Sequence, residues 1–374
     1  MTKKITIITI GILILMVAGI ISIINTYKVY SELSISELAN QQSAGNYNRS
    51  NGNYIIRGRN NGISDFPYIL GYQADLISIP DGQEYFISRS QNSNSNLGPT
   101  ISGNTILYAS KAILLPEKRK IDFSKFDLEF YGSIYEICDI FHDRYICFGK
   151  GKKEVEGEPD TYEKLYVLDI TTNQKKAFYT GNVDVTSTDG CYLYYHDLDN
   201  GTIYRKNIIA DEPSQVVASM KKKEEIVEMA VKKDILVLLY FGDKNGNRCD
   251  EIVAYNMKTK EDKLIANNGA SATDVNWAPV SMHIKNNDLF YLDDLSNVYK
   301  VNLRGRRNSK RIISMKKDVN LRKQNILLEK SVMETFWCED YVVIETNALG
   351  PKSMMSVYDY TGEYIRSIYG SYAY

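Results

Sequence analysis

The chain has 374 residues, with 45 basic and 46 acidic side chains and a formal net charge of −1. That balance excludes a global positive field of the kind that gathers nucleic acid. Five cysteines leave at least one thiol unpaired, and 29 tyrosines favour half-buried sheet faces.

The chain opens on Met1-Thr2-Lys3-Lys4, then a run without charge over residues 5–24. At about 1.5 Å of rise per residue, such a run spans roughly 30 Å, the thickness of a bilayer core. Residues 5–25 are therefore expected to form one transmembrane helix, with residues 1–4 as a short cytoplasmic tail. A cleaved signal fits less well, because the run is long and no small-x-small site follows it. A lipoprotein signal is excluded, since the first cysteine is Cys138. Lys3 and Lys4 outweigh Lys28 across the span, which puts the N-terminus inside and the rest of the chain outside the cell.

Residues 26–64 read as a juxtamembrane segment and flexible linker. Val29, Leu33, Ile35 and Leu38 would continue a short helix, after which Asn, Gly, Ser and Gln dominate. A stretch of that composition buries too little to offset its ordering entropy.

From residue 65 to 374 strand signals recur. Apolar β-formers bounded by Gly, Asn and Asp stand at 104–109, 144–148, 191–195, 235–241, 289–292 and 341–345. The repeat of roughly 40–50 residues suits propeller blades. A further strand follows most of these, a more polar segment closes each unit, and another strand often leads it. Four strands per unit predict an all-β, six-bladed β-propeller, with residues 65–100 available for a seventh unit or the closing strand. Helical periodicity is weak beyond the leading run; residues 220–231 come nearest.

Residues 190–207 carry Tyr194-Tyr195-His196-Asp197 ahead of Gly201-Thr202-Ile203-Tyr204. That segment resembles a blade of the six-bladed YWTD-type propellers found in lipoprotein-receptor ectodomains and bacterial surface proteins. Residues 288–305, with Leu289-Phe290-Tyr291-Leu292 and Val298-Tyr299-Lys300-Val301, look like a second copy. The wider chain is similar to TolB-like propellers. No unit carries the Tyr-Trp-Thr-Asp tetrapeptide itself, and the resemblance implies fold more than activity.

Enzyme motifs are scarce. Gly269-Ala270-Ser271-Ala272-Thr273 misses a nucleophile elbow at its last position, and no zinc-protease, phosphate-loop or Cys-x-x-Cys motif occurs. No catalytic residue, metal ligand or cofactor is expected. His196, beside Asp197 and Asp199, is read as lying in a solvated turn. Residues 243–251 alternate oxygen side chains as calcium loops do, but Arg248 and Ala254 stand where Gly and a bidentate Glu belong. A hairpin turn explains that stretch better. Glu154, Glu156, Glu158, Asp160 and Glu163 read as a solvated insertion.

Residues 300–323 hold ten cations and one acid, Asp318. Arg304, Arg306, Arg307, Lys310, Arg311, Lys316 and Lys317 are the expected contacts for an anionic partner, set against a charged outer strand that merely resists edge pairing. A two-residue turn at His142-Asp143 would set Cys138 and Cys147 across a ladder as a candidate disulfide. Trp277, Phe336-Trp337 and Tyr194-Tyr195 are either sugar platforms or, the stronger reading, filler between sheets.

These features lead to a membrane-anchored, extracytoplasmic propeller acting as a non-catalytic binding or assembly module at a bacterial cell surface. Its expected partners are the membrane, through the N-terminal helix, and an envelope protein or anionic polymer, but not nucleic acid. The alternative is an envelope glycan-acting enzyme, hydrolase or lyase, with carboxylates at the propeller funnel.

Overall fold

The computed structural model describes residues 28–29, 50–60, 72–90, 100–102, 105–108, 111–114, 119–122, 135–151, 161–210, 212–220, 225–244, 247–267, 281–293, 297–304, 309–315, 318, 332–347 and 352–371. Every regular element among them is a β-strand. Sheet I holds β1 (Lys28–Val29), β2 (Ser50–Asn51), β3 (Tyr54–Asn60), β4 (Tyr72–Ser78) and β5 (Glu84–Ser90). Sheet II holds β6 (Thr100–Ser102), β7 (Thr105–Tyr108), β8 (Lys111–Leu114) and β9 (Arg119–Asp122).

Sheet III begins with β10 (Tyr135–Phe141), β11 (Tyr145–Gly151), β12 (Tyr162–Asp169) and the long β13 (Gln174–Thr188). It continues through β14 (Tyr192–Asp197), β15 (Thr202–Asn207) and β16 (Gln215–Ser219). Sheet IV is β17 (Glu225–Lys232), β18 (Ile235–Lys244), β19 (Asn247–Asn256) and β20 (Glu261–Asn267). Sheet V is β21 (Met282–Lys285), β22 (Asp288–Leu292), β23 (Asn297–Asn302) and β24 (Lys310–Ser314). Sheet VI is β25 (Val332–Trp337), β26 (Tyr341–Asn347), β27 (Lys352–Asp359) and β28 (Tyr364–Ser371).

Local chemistry sets the hairpins. His142 and Asp143 both take positive φ, 50° and 54°, and with Phe141 opposite Tyr145 the β10–β11 turn holds three residues rather than the expected two. Strands β12, β15, β19, β23 and β27 end on Asp169, Asn207, Asn256, Asn302 and Asp359. Each side-chain oxygen takes the amide two residues on, at 2.9 to 3.1 Å. These Asx turns release the chain from the ladder at the same place in five units.

Sheet III is two four-stranded units sharing one strand. The first half of β13 closes the β10–β12 unit, sheet IIIa, and its second half opens the β14–β16 unit, sheet IIIb.

Alternation along the second strands then builds the core, because neighbouring residues face opposite sides. Leu236 packs with Tyr194 and Ile203 of sheet IIIb, whereas Val237 packs with Met282 and Leu289 of sheet V. Tyr195 joins Cys147 and Leu165 of sheet IIIa. Val342 faces Phe290 and Val298 of sheet V, and Val343 faces Ile55 and Ile77 of sheet I. Ile56 and Leu76 meet Ile101 and Ile106 of sheet II, and Leu107 meets Ile146 and Phe148 of sheet IIIa. Apolar clusters thus link each sheet to the next, and the last sheet to the first. At roughly 1.5–3 kcal/mol for each fully buried side chain, these seams are the main favourable term.

The multiple antiparallel sheets agree with the expected all-β, propeller-like fold. The start of the domain differs. Tyr54–Asn60, assigned from composition to the linker, is strand β3, with Ile55 and Ile56 fully buried. Residues 50–90, expected to supply a seventh unit or closing strand only from 65 onward, make a whole sheet that meets sheet VI. Lys28 and Val29, expected in a helix, pair in parallel with Tyr85 and Phe86. The expected transmembrane helix at residues 5–25 lies outside the described residues, among which no helix is long and apolar enough to cross a membrane.

Candidate functional site

Successive sheets approach one another through their first strands: β2 lies beside β6, β6 beside β10, β13 beside β17, and β17 beside β21. These form the inner rim. Fourth strands stand at the opposite edge, where Val216 on β16 and Leu264 on β20 are 61% and 52% exposed.

Four of the inner strands, β10, β13, β17 and β25, share an irregularity. Register slips between Ile137 and Asp139, between Val183 and Thr186, between Ile226 and Glu228, and between Val332 and Glu334. In β10, β17 and β25 an acid follows the extra residue directly; in β13 the acid, Asp184, lies inside the bulge. A bulge turns two consecutive residues to one side and re-aims the strand beyond it. The β17 pattern shows it. Val227 and Ala230 pack toward sheet V, and Glu228 reaches the same sheet by accepting the Met282 amide at 2.9 Å.

Electrostatics separate these acids. Burial pushes the Glu228 carboxyl up to about 8, against the opposing Met282 amide, so it keeps its proton at neutral pH. Asp139 takes the Ile140 amide at 2.7 Å. Asp184 is paired with His196 Nδ1 on β14 at 2.8 Å, with side chains 5% and 1% exposed. His196 Nε2 and Asp184 Oδ2 are buried with no partner. Each such orphan costs about 1–3 kcal/mol.

The inner strand β21 carries His283, whose ring stacks on Trp337 at 5.8 Å. Burial, with Lys232 and Lys285 nearby, pushes its imidazole down to about 3, so it is neutral under ordinary conditions. Trp337 Nε1 donates to Ser281 Oγ at 2.7 Å and fixes the indole across the seam between sheets V and VI.

The residues singled out from sequence fall elsewhere. Arg304, Lys310 and Arg311 are exposed, the last two on the edge strand β24, while Arg306, Arg307, Lys316 and Lys317 lie outside the described residues. Lys300 pairs with Asp288 at 2.8 Å. Cys138 and Cys147 are buried with no disulfide between them; the three-residue turn, with Phe141 opposite Tyr145, places Cys147 opposite Asp139, and Cys138 is the extra residue of the bulge beyond it. His196 is not in a solvated turn but inside a strand. Tyr194, Tyr195, Phe336 and Trp337 are buried between sheets, as filler is, and Trp277 lies outside the described residues. The calcium-like stretch is a hairpin, with Lys244 opposite Asn247. Of the acidic insertion, Glu163 is described and pairs with Lys150 at 2.6 Å. Among the described residues no three His, Cys, Asp or Glu side chains gather as a metal site.

Sequence reasoning passed over the bulged acids. The available signal was an acid within an apolar first strand, as in Ile137-Cys138-Asp139, Ile226-Val227-Glu228 and Val332-Met333-Glu334.

No protein-family model matches the chain, and no curated protein matches it in sequence. Solved structures do. Oligogalacturonate lyase from Vibrio parahaemolyticus is 9% identical and is matched over 82% of this chain and 88% of that one, with a TM-score of 0.50. A second oligogalacturonate lyase, in complex with manganese, is 15% identical over 60% of this chain and 62% of its own, with a TM-score of 0.39. A prolyl endopeptidase is 12% identical, with 89% of this chain covering 44% of that one and a TM-score of 0.44. This chain thus spans less than two thirds of the manganese-bound lyase and less than half of the endopeptidase. At such identities the likeness is one of fold, and that fold is a β-propeller.

One expectation is corrected. The non-catalytic binding or assembly module has no support here, because the structure matched over most of both chains is a lyase.

Proposed function

We propose that this chain is a glycan-acting enzyme, a lyase or hydrolase, working at the inner rim of the ring. The observation that carries this reading is the bulged acid recurring on first strands, at Asp139, Glu228 and Glu334. Bulges are over-represented beside active sites, where they re-aim side chains. Cleaving a glycosidic bond needs one group to protonate the leaving oxygen and another to remove a proton or meet developing charge. Glu228, uncharged until about pH 8, has the protonation state of the first. The second is assigned to a carboxyl elsewhere on the rim, Asp139 or Glu334.

The fold likeness to an oligogalacturonate lyase makes uronic-acid oligosaccharides the first substrates to examine. The exposed cations Lys310 and Arg311 lie on the fourth strand of sheet V, away from the inner rim, where they would draw an anionic polymer to the ring's outer edge rather than to the cleavage site. The ring is taken as seven-bladed rather than six, supported by seven apolar seams among the described residues. That number departs from the six-bladed YWTD type. Residues 5–25 anchor the ring outside the membrane; protease added to intact cells then trims the ring, and full protection would contradict this placement.

The activity is tested by incubating the purified full chain with neutral and uronic-acid oligosaccharides, oligogalacturonate among them. New reducing ends report hydrolysis, and an ultraviolet-absorbing unsaturated end reports elimination. Absence of both products overturns the proposal.

A further inference from the structure

Asp184 departs from the other bulged acids. Asp139 and Glu228 are met by backbone amides, those of Ile140 and Met282. Asp184 instead meets an imidazole. The register passes from Val183 opposite Asp197 to Thr186 opposite Tyr195, so Asp184 and Val185 together face the single residue His196. With Nδ1 donating to Asp184, an Nε2 that carries no proton is an acceptor.

That acceptor is buried and empty-handed. So are Asp184 Oδ2 and, on the same strand, Asn182 Oδ1. Buried polar groups are almost always satisfied, and these sit on an inner strand whose counterparts use simple backbone donors. What the group lacks is a proton donor. An anion would be repelled by the carboxylate, and a carbonyl has no hydrogen to give. A hydroxyl has the donor.

We propose that His196 and Asp184 form an acceptor subsite for a sugar hydroxyl, which rests on the glycan reading above. The hydroxyl donates to His196 Nε2, while Asp184 holds the ring in the accepting tautomer. A permanently trapped water is the competing occupant.

The chain has three histidines, so nitrogen-15 imidazole spectra of the full-length protein separate each ring. The oligosaccharide panel is titrated to saturation, with binding followed by calorimetry. The expected result is a shift of the His196 Nε2 resonance with His142 and His283 unmoved. His196→Phe should raise KM about tenfold while kcat changes far less, the loss of one hydrogen bond. A bound sugar that leaves His196 unmoved overturns the subsite and points to trapped water. Sugar that binds and shifts His196 without being cleaved upholds the subsite and removes the enzyme reading. Cleavage with His196 unmoved does the reverse, and no binding by any sugar in the panel removes both.

Discussion

Glu228 accepts the Met282 amide at 2.9 Å and thereby ties the inner strand of sheet IV to that of sheet V. The tie joins residues 54 positions apart in the chain. It uses a donor on an edge strand that would otherwise face the rim unpaired. A carboxyl is the group with a penalty here, because burial disfavours its charged form.

Glu228 should therefore make stability fall as pH rises. Its folded pKa, about 8, exceeds the ordinary 4.5, so its favourable contribution is complete below 4.5 and is lost as pH climbs through 8. The loss across that window is on the order of 5 kcal/mol. Glu228→Gln keeps an acceptor for Met282 and should remove the slope. Denaturant unfolding at acid and mildly alkaline pH checks it; an unchanged slope in the variant counts against the assignment.

His283 works in the opposite direction. Its folded pKa, about 3, lies below the ordinary 6.5, so the unfolded chain binds more protons between those values. Stability is lost as pH falls from 6.5 toward 3. His283→Phe, which preserves stacking on Trp337, should flatten the acid side of the profile. Unfolding midpoints measured across that range report it.

Gly362 should tolerate no side chain. It takes φ +94° in the β27–β28 turn, and a Cβ there would overlap the Ile312 carbonyl on β24. Gly82 is also at positive φ, +72°, but its nearest neighbour would be Ile368 at 3.7 Å. Gly362→Ala should cost more than Gly82→Ala, which carries the roughly 1–3 kcal/mol of backbone strain alone. Equal losses in thermal unfolding would contradict the packing of sheet V on sheet VI.

The thiols should divide by burial. Desolvation raises Cys147 well above the usual range, with Cys138 and Asp139 adding to it, and burial raises Cys338 as well. Cys191 is exposed. Alkylation of the native protein followed by mass spectrometry should label Cys191 quickly. Cys138, Cys147 and Cys338 should react only after unfolding. Native loss of two hydrogens on the peptides holding Cys138 and Cys147 would reveal a bridge instead.

Legibility in the sequence followed locality. Strand β18 and the turn residues Asp169, Asn207, Asn256, Asn302 and Asp359 could be read because a long apolar run, or one Asx residue, acts where it stands. Strand β3 could not. Ile55 and Ile56 sit in a stretch rich in Asn and Gly, and their burial comes from Leu76, Ile77 and Val343, far along the chain. The inner-rim acids were hidden for a related reason. A bulge is a mismatch between two strands, so no residue in one strand announces it. His196, read as a turn residue beside Asp197, became a buried partner of Asp184 only through that mismatch.

Cleavage itself is the decisive measurement, followed on the panel of neutral and acidic oligosaccharides with wild-type protein, Glu228→Gln and His196→Phe side by side. Wild type should yield new reducing or unsaturated ends. Glu228→Gln should be at least about 100-fold slower through loss of proton donation, and His196→Phe should show a raised KM. Wild-type protein that yields neither kind of end, or a Glu228→Gln variant that cleaves as fast as wild type, would contradict the glycan-cleaving assignment.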